Sequence, residues 1–260
     1  KNKNEPTPMM LHYRETKKKY PDAILFYRLG DFYEMFDEDA INVSKWLELT
    51  LTGKSCGEEE RAPMCGIPYH TVDTYIAKLL KLNKKIAICE QLTDASEGPV
   101  QRDVVRIITP GTVTSDIVLE ENKNNFILCV YCDENHKKLG IAYADISTGE
   151  AAVSSRSGKE LENEIINDLS RYQPSEMIFN EEFLRLDSVM EFIRKKLECP
   201  YSVRNEECFD PQVKSDVVFR QFSVSSYDEL FLDPDDIKTS SVCGLFDYFY
   251  ETQRTLTARF

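Results

Sequence analysis

No apolar run in the sequence reaches membrane-spanning length, and the basic, polar start does not read as a signal peptide. The eight cysteines are scattered and lack the pairs of pairs that a structural zinc site needs. They fit a reducing compartment better than a disulfide scaffold, so the expected location is the cytoplasm. Cys129 and Cys132 have C-x-x-C spacing, but on a strand an offset of three sends the two sulfurs to opposite faces. His12, His70 and His136 are too far apart in sequence to suggest a triad. Gly53-Lys54-Ser55 lacks the glycine that a phosphate loop needs five positions earlier, where Glu48 stands. Excess positive charge is missing too. Of 32 basic and 45 acidic residues, 16 and 17 lie up to Pro110, leaving 16 and 28 after it. The second half therefore carries nearly all of the net charge of −13 and repels phosphate, while the first half is neutral, which permits local contact with DNA but does not predict it.

What the sequence does have begins with the apolar run Ala23-Ile24-Leu25-Phe26-Tyr27, which reads as a buried strand. Gly30 breaks it with a tight turn into Asp31-Phe32-Tyr33-Glu34-Met35-Phe36. An extended chain after the turn points Phe32 and Glu34 to one face and Tyr33 to the other. A large apolar side chain then lies beside a carboxylate, close to a glycine that lets another backbone approach. By spacing alone this is also a half-buried hairpin with a solvated Glu.

Phe26-Tyr27-Arg28-Leu29-Gly30-Asp31-Phe32-Tyr33-Glu34-Met35-Phe36 resembles the mismatch-reading segment of the MutS family of DNA mismatch repair proteins. Three more blocks follow in family order: Ala62-Pro63-Met64-Cys65-Gly66-Ile67-Pro68-Tyr69-His70, Ile86-Ala87-Ile88-Cys89-Glu90-Gln91 and Val104-Val105-Arg106-Ile107-Ile108-Thr109-Pro110-Gly111-Thr112. The resemblance implies that Phe32 stacks at a mispaired base and Glu34 hydrogen-bonds it, with Leu29, Gly66, Tyr69 and His70 as supporting contacts to DNA. It also implies that the chain is an amino-terminal piece. The parent's lever, clamp and ATPase domains, with their ATP and Mg, would lie elsewhere.

In chain order, Thr7-Pro8 caps a first helix that ends at Tyr20-Pro21, and Lys17-Lys18-Lys19 is a solvated helix end or an approach to phosphate. Asp37, Glu38 and Asp39 open a second helix, where they complement its dipole. Residues 54–62 read as an exposed polar loop, and Gly66 to His70 as a turn into a helix over Val72 to Leu80. Strands are expected over Lys85–Gln91 and Asp103–Thr109, flanking a polar loop. Pro110-Gly111-Thr112 is the expected boundary, giving domains at 1–112 and 113–253, with 254–260 beginning a further region. After an acidic linker come three meandering strands near 126–131, 139–146 and 150–154. Helix 160–171, strand 176–179, helix 182–197, strand 201–204 and a last helix near 240–253 follow.

The fold class expected is α/β in two domains: a mixed-sheet mismatch-recognition domain, then a connector domain with the strand order of an RNase H-like fold. That order invites a two-metal nuclease reading around Asp145, but no partner carboxylates stand at convincing places, and fold is not function. No catalytic residue, metal site or cofactor is expected in this chain. The expected partners are mismatched double-stranded DNA and, through the connector, a downstream repair protein; no membrane is involved. A homodimeric parent and a monomeric fragment are implied. The alternative is a protein-interaction scaffold with no DNA binding of its own.

Overall fold

The computed structural model describes residues 5–93, 100–113 and 124–253. The polar loop between the two later strands, the acidic linker and the tail after residue 253 fall largely or wholly outside them. The chain divides after Pro110 into two compact units.

In the first unit α1 (Pro8–Lys19) starts where the Thr7 hydroxyl accepts from Met10 N at 3.4 Å, with Pro8 in the first turn. It is followed by β1 (Ala23–Leu29), β2 (Phe32–Phe36), α2 (Asp37–Leu47), β3 (Thr52–Lys54), β4 (Ala62–Pro68), α3 (Val72–Lys81), β5 (Lys85–Gln91) and β6 (Arg102–Ile108). The six strands form one mixed sheet in the order β3-β4-β2-β1-β5-β6, in which only β1 and β5 run parallel. Gly30, at φ +59°, makes the tight β1–β2 turn, a conformation a side chain would resist. One face packs on α1 through Met10, Tyr13, Tyr27, Phe36 and Cys89. On the other, the Cys65 thiol donates to Ala40 O at 3.6 Å and ties β4 to α2.

Two expectations need correction here. Ala62 to Pro68 is a strand, so Gly66 lies within the sheet and a short 3-10 turn at Tyr69–Thr71 leads into α3. Nor is 54–62 simply an exposed loop. Lys54 ends β3, Ala62 begins β4, and Cys56 is buried, its carbonyl accepting from Thr7 N at 2.7 Å.

The second unit has β7 (Ile127–Cys132), β8 (Lys138–Asp145) and β9 (Glu150–Ser157) as an antiparallel meander. Then come α4 (Leu161–Tyr172), β10 (Glu176–Asn180), α5 (Asp187–Phe192), β11 (Tyr201–Arg204), α6 (Pro211–Phe222) and α7 (Ile237–Gln253). The sheet order β11-β10-β7-β8-β9, with β10 and β11 parallel to β7, is that of an RNase H-like fold. One face buries Leu161, Ile165, Leu169 and Met190, and the other buries Phe209, Val218, Cys243 and Phe246. The expected helix over 182–197 is broken into a 3-10 turn, α5 and a π-helical turn, with the break at Leu186 (ψ 78°). Cys129 joins one core and Cys132 the other, as strand alternation requires.

Candidate nucleic-acid interface

Register fixes the site. Leu29 pairs with Phe32 and Tyr27 with Glu34 across β1–β2, while Pro68 and Gly66 oppose Phe32 and Glu34 from β4. By alternation Leu29, Phe32, Glu34 and Gly66 share one face. Phe36, two residues deeper on that face, is fully buried and meets the Tyr13 ring edge-on at 5.0 Å. Along β2 the same face thus runs from core to solvent: Phe36 buried, Glu34 half-buried, Phe32 46% exposed. A Cβ on Gly66 would lie 3.6 Å from the Phe32 ring and 3.8 Å from Glu34 Cγ, so both side chains rest against bare backbone.

The turn behind Phe32 is braced from both sides. Arg28 Nε donates to Gly30 O at 2.5 Å, Gly30 N to the Gln91 side chain at 3.3 Å, and Arg102 Nε to Arg28 O at 3.1 Å. Asp31 O accepts from Tyr69 N at 2.9 Å, joining the turn to the end of β4. The Tyr69 ring stacks on the Arg28 guanidinium at 4.0 Å, and Arg28 belongs by register to the face opposite Phe32. His70 is exposed and meets Tyr69 edge-on at 5.8 Å. Leu29, Phe32, Glu34 and Gly66 are therefore brought together, whereas Tyr69 and His70 lie at the rear of the same tip. The Tyr33 hydroxyl donates to Glu90, and burial followed by this carboxylate raises its pKa above the ordinary range. Burial likewise pushes the Tyr27 phenol up to about 12.

One site residue escaped the sequence reading. Lys54 Nζ lies 2.5 Å from Glu34 Oε2, with its ammonium 5.8 Å from the Phe36 ring centroid. Nothing in the sequence marks a partner twenty residues away; recognising β3 as a strand was the available signal. Lys17, from the basic run, is occupied by Asp39 at 3.0 Å and Ala23 O at 2.6 Å, which leaves Lys18 and Lys19 as its exposed members.

Asp145 in the second unit is buried and accepts from Asn125 N and Ser147 N at 2.8 Å and from the Ser147 hydroxyl at 2.6 Å. That geometry closes a turn. Among the described residues no three His, Cys, Asp or Glu side chains are grouped to hold a metal ion, and no helix is long and apolar enough to cross a membrane.

Comparison with known proteins gives two family matches: MutS domain I over residues 7–117 and MutS domain II over 125–260. The DNA mismatch repair protein MutS of Lachnoclostridium phytofermentans is 42% identical over 252 residues, covering 95% of this chain and 26% of that protein. Its counterpart in Clostridium botulinum strain Loch Maree is 44% identical over 255 residues, covering 96% and 26%. The chain thus spans about a quarter of the length of these relatives. Among solved structures, a Thermus thermophilus RuvC structure aligns with 50% of this chain and 97% of its own, at TM-score 0.36 and 11% identity, too distant to carry an argument.

Proposed function

The chain belongs to the MutS family of DNA mismatch repair proteins, and we propose that its first unit reads mispairs by inserting Phe32 as a wedge from the minor groove. A Phe edge pushed into a base step unstacks it and kinks the duplex by roughly 20–90°. Unstacking costs a few kcal/mol, and least where pairing is already poor, so the wedge selects for deformability rather than base identity. The observation that carries this reading is the seat of Phe32: a half-exposed ring resting on Gly66 at a braced strand end, with the Glu34 carboxyl next to it on the same face. Glu34 supplies the hydrogen bond to the base that unstacking exposes. It also penalises well-paired DNA, which offers it no partner. Leu29, Gly66, Tyr69 and His70 support the tip against the duplex.

The second unit acts as the connector, relaying the state of the wedge to the ATPase of the full-length protein and docking a downstream repair partner. Its acidic balance suits a protein partner better than a second DNA site. ATP and Mg act in the full-length protein, a cytoplasmic homodimer, and this chain contributes no catalytic residue.

The test is fluorescence anisotropy at low salt on a G·T or single-insertion duplex and its matched control. The expected result is that the chain binds the defective duplex more tightly and that Phe32→Ala removes the preference. A preference that survives Phe32→Ala overturns the wedge, and no binding to either duplex leaves the interaction scaffold as the better reading.

A further inference from the structure

The Glu34 carboxylate faces a difficulty that the Lys54 pair answers. A carboxylate pressed against a duplex is repelled by phosphate, and a flexible Glu side chain has no reason to hold the one rotamer that faces an exposed base. In the structure neither problem is left open. Lys54 comes from β3 at the sheet edge, opposite Ala62, and its stem runs back along the wedge face past the buried Phe36 ring to reach Glu34 Oε2. The contact is short and charge-assisted, with the Glu34 side chain only 15% exposed and Lys54 36%. Oε2 is taken by the ammonium, and among the described residues no other side chain or backbone group bonds the carboxyl, which leaves Oε1 for an incoming group.

We propose that Lys54 is the positioning residue for Glu34: it fixes the carboxyl beside Phe32, and this placement sets how strongly defective DNA is preferred over matched, while its charge lessens repulsion by phosphate on both duplexes alike. This rests on the mismatch reading above. It differs from a simple phosphate contact, which would strengthen binding to all duplexes alike and carry no sequence or mismatch information.

The ratio of affinities for defective and matched duplex separates the two, because any uniform electrostatic effect cancels in it. The variants are Lys54→Met, which keeps the length of the stem, Lys54→Arg, Glu34→Gln, the Lys54→Met/Glu34→Gln double variant, and Phe32→Ala. Thermal denaturation checks that each remains folded. Lys54→Met is expected to lower the preference roughly three- to tenfold, the range of one partly buried ion pair. Lys54→Arg restores it, and in the Glu34→Gln background Lys54→Met lowers it no further. Equal weakening on both duplexes with the ratio unchanged overturns the proposal, as does an equal fall in the ratio with and without Glu34. Phe32→Ala reads the parent hypothesis alone: if it removes the preference while Lys54→Met does not alter it, only the role of Lys54 fails. If the wild-type chain shows no preference, or Phe32→Ala keeps it, both fail.

Discussion

Replacing Asp39 tests whether the wedge is anchored through the core end of its own hairpin. Asp39 stands in the first turn of α2 and is only 8% exposed. Its Oδ2 accepts from the backbone N of Leu25 at 3.0 Å and from the Tyr13 hydroxyl at 3.5 Å, and its Oδ1 from Lys17 Nζ at 3.0 Å. One carboxylate thus joins α1, β1 and α2. Asp39→Ala leaves the buried Leu25 N–H without an acceptor, at about 1–3 kcal/mol. Loss of the Lys17 pair adds about 0–1 kcal/mol, since Lys17 is partly exposed and keeps Ala23 O. The sum is about 1–4 kcal/mol. Asp39→Asn keeps an oxygen for Leu25 and loses only the ion pair, at about 0–1 kcal/mol. The assay is urea unfolding followed by tryptophan fluorescence, because Trp46, the lone tryptophan, sits on α2 in the same unit. Equal losses for the two variants, or less than about 1 kcal/mol for Ala, would refute the hub, because the backbone acceptor is what distinguishes them.

Further outcomes are expected elsewhere. A Cβ at Gly140 would lie 2.0 Å from Ile237 O, so Gly140→Ala must push α7 off β8 and destabilise the second unit by about 3 kcal/mol or more, seen as a lowered transition in far-UV circular dichroism. Gly66→Ala meets only ordinary contacts and changes stability by less than about 1 kcal/mol, so any loss of mismatch preference in it reports on the seat of Phe32. Burial pushes the thiols of Cys89, Cys132 and Cys199 up to about 12 and those of Cys65 and Cys243 to about 11. In the unfolded chain these thiols ionise near 8.5, so the unfolded state binds fewer protons above that pH. Stability is whole below about pH 8.5 and falls up to pH 11–12, by at most about 1.4 kcal/mol per pH unit for each thiol. A urea midpoint that stays flat between pH 8 and 10 would contradict this. Ellman's reagent should titrate the half-buried Cys208 first and the seven buried thiols only on unfolding.

Much of the fold was legible because alternation and turn chemistry agree with tertiary context. The β1–β2 hairpin, the β7–β8–β9 meander and the Thr7-Pro8 cap all stand where their residues placed them. The strand Ala62–Pro68 was hidden by two prolines and a glycine, residues of poor strand propensity; its place between β3 and β2 overrides that preference. Missing β3 and β4 concealed the Lys54–Glu34 pair, which exists only once three strands are side by side. Helix α6 carries in Asp210-Pro211 the same cap-and-proline signature as α1, with Gln212 N donating to Asp210 Oδ1 at 2.8 Å, so its omission lost a signal that was present. Asp39 was legible as an acidic first-turn residue but not as a hub, because the donors it satisfies come from other elements.

Exposure does not by itself make a wedge. Phe231 in the second unit is 96% exposed, twice as much as Phe32, yet it caps a short 3-10 turn in a left-handed conformation. A side chain that must unstack a base step works against a few kcal/mol, and one on a single turn can yield instead of the duplex. Phe32 cannot yield so easily. It lies in a strand paired on both sides, its turn is held by Arg28, Gln91 and Tyr69, and at its inner end the same strand finishes in buried Phe36. A one-residue slip of β2 would bring Tyr33 to the tip and expel Phe36 from the core, so register locks the position of Phe32 to the hydrophobic core. In the proposed wedge, the selectivity of the tip depends on the rigidity behind it. Asp39, although far from any base, therefore belongs to the same device as Phe32.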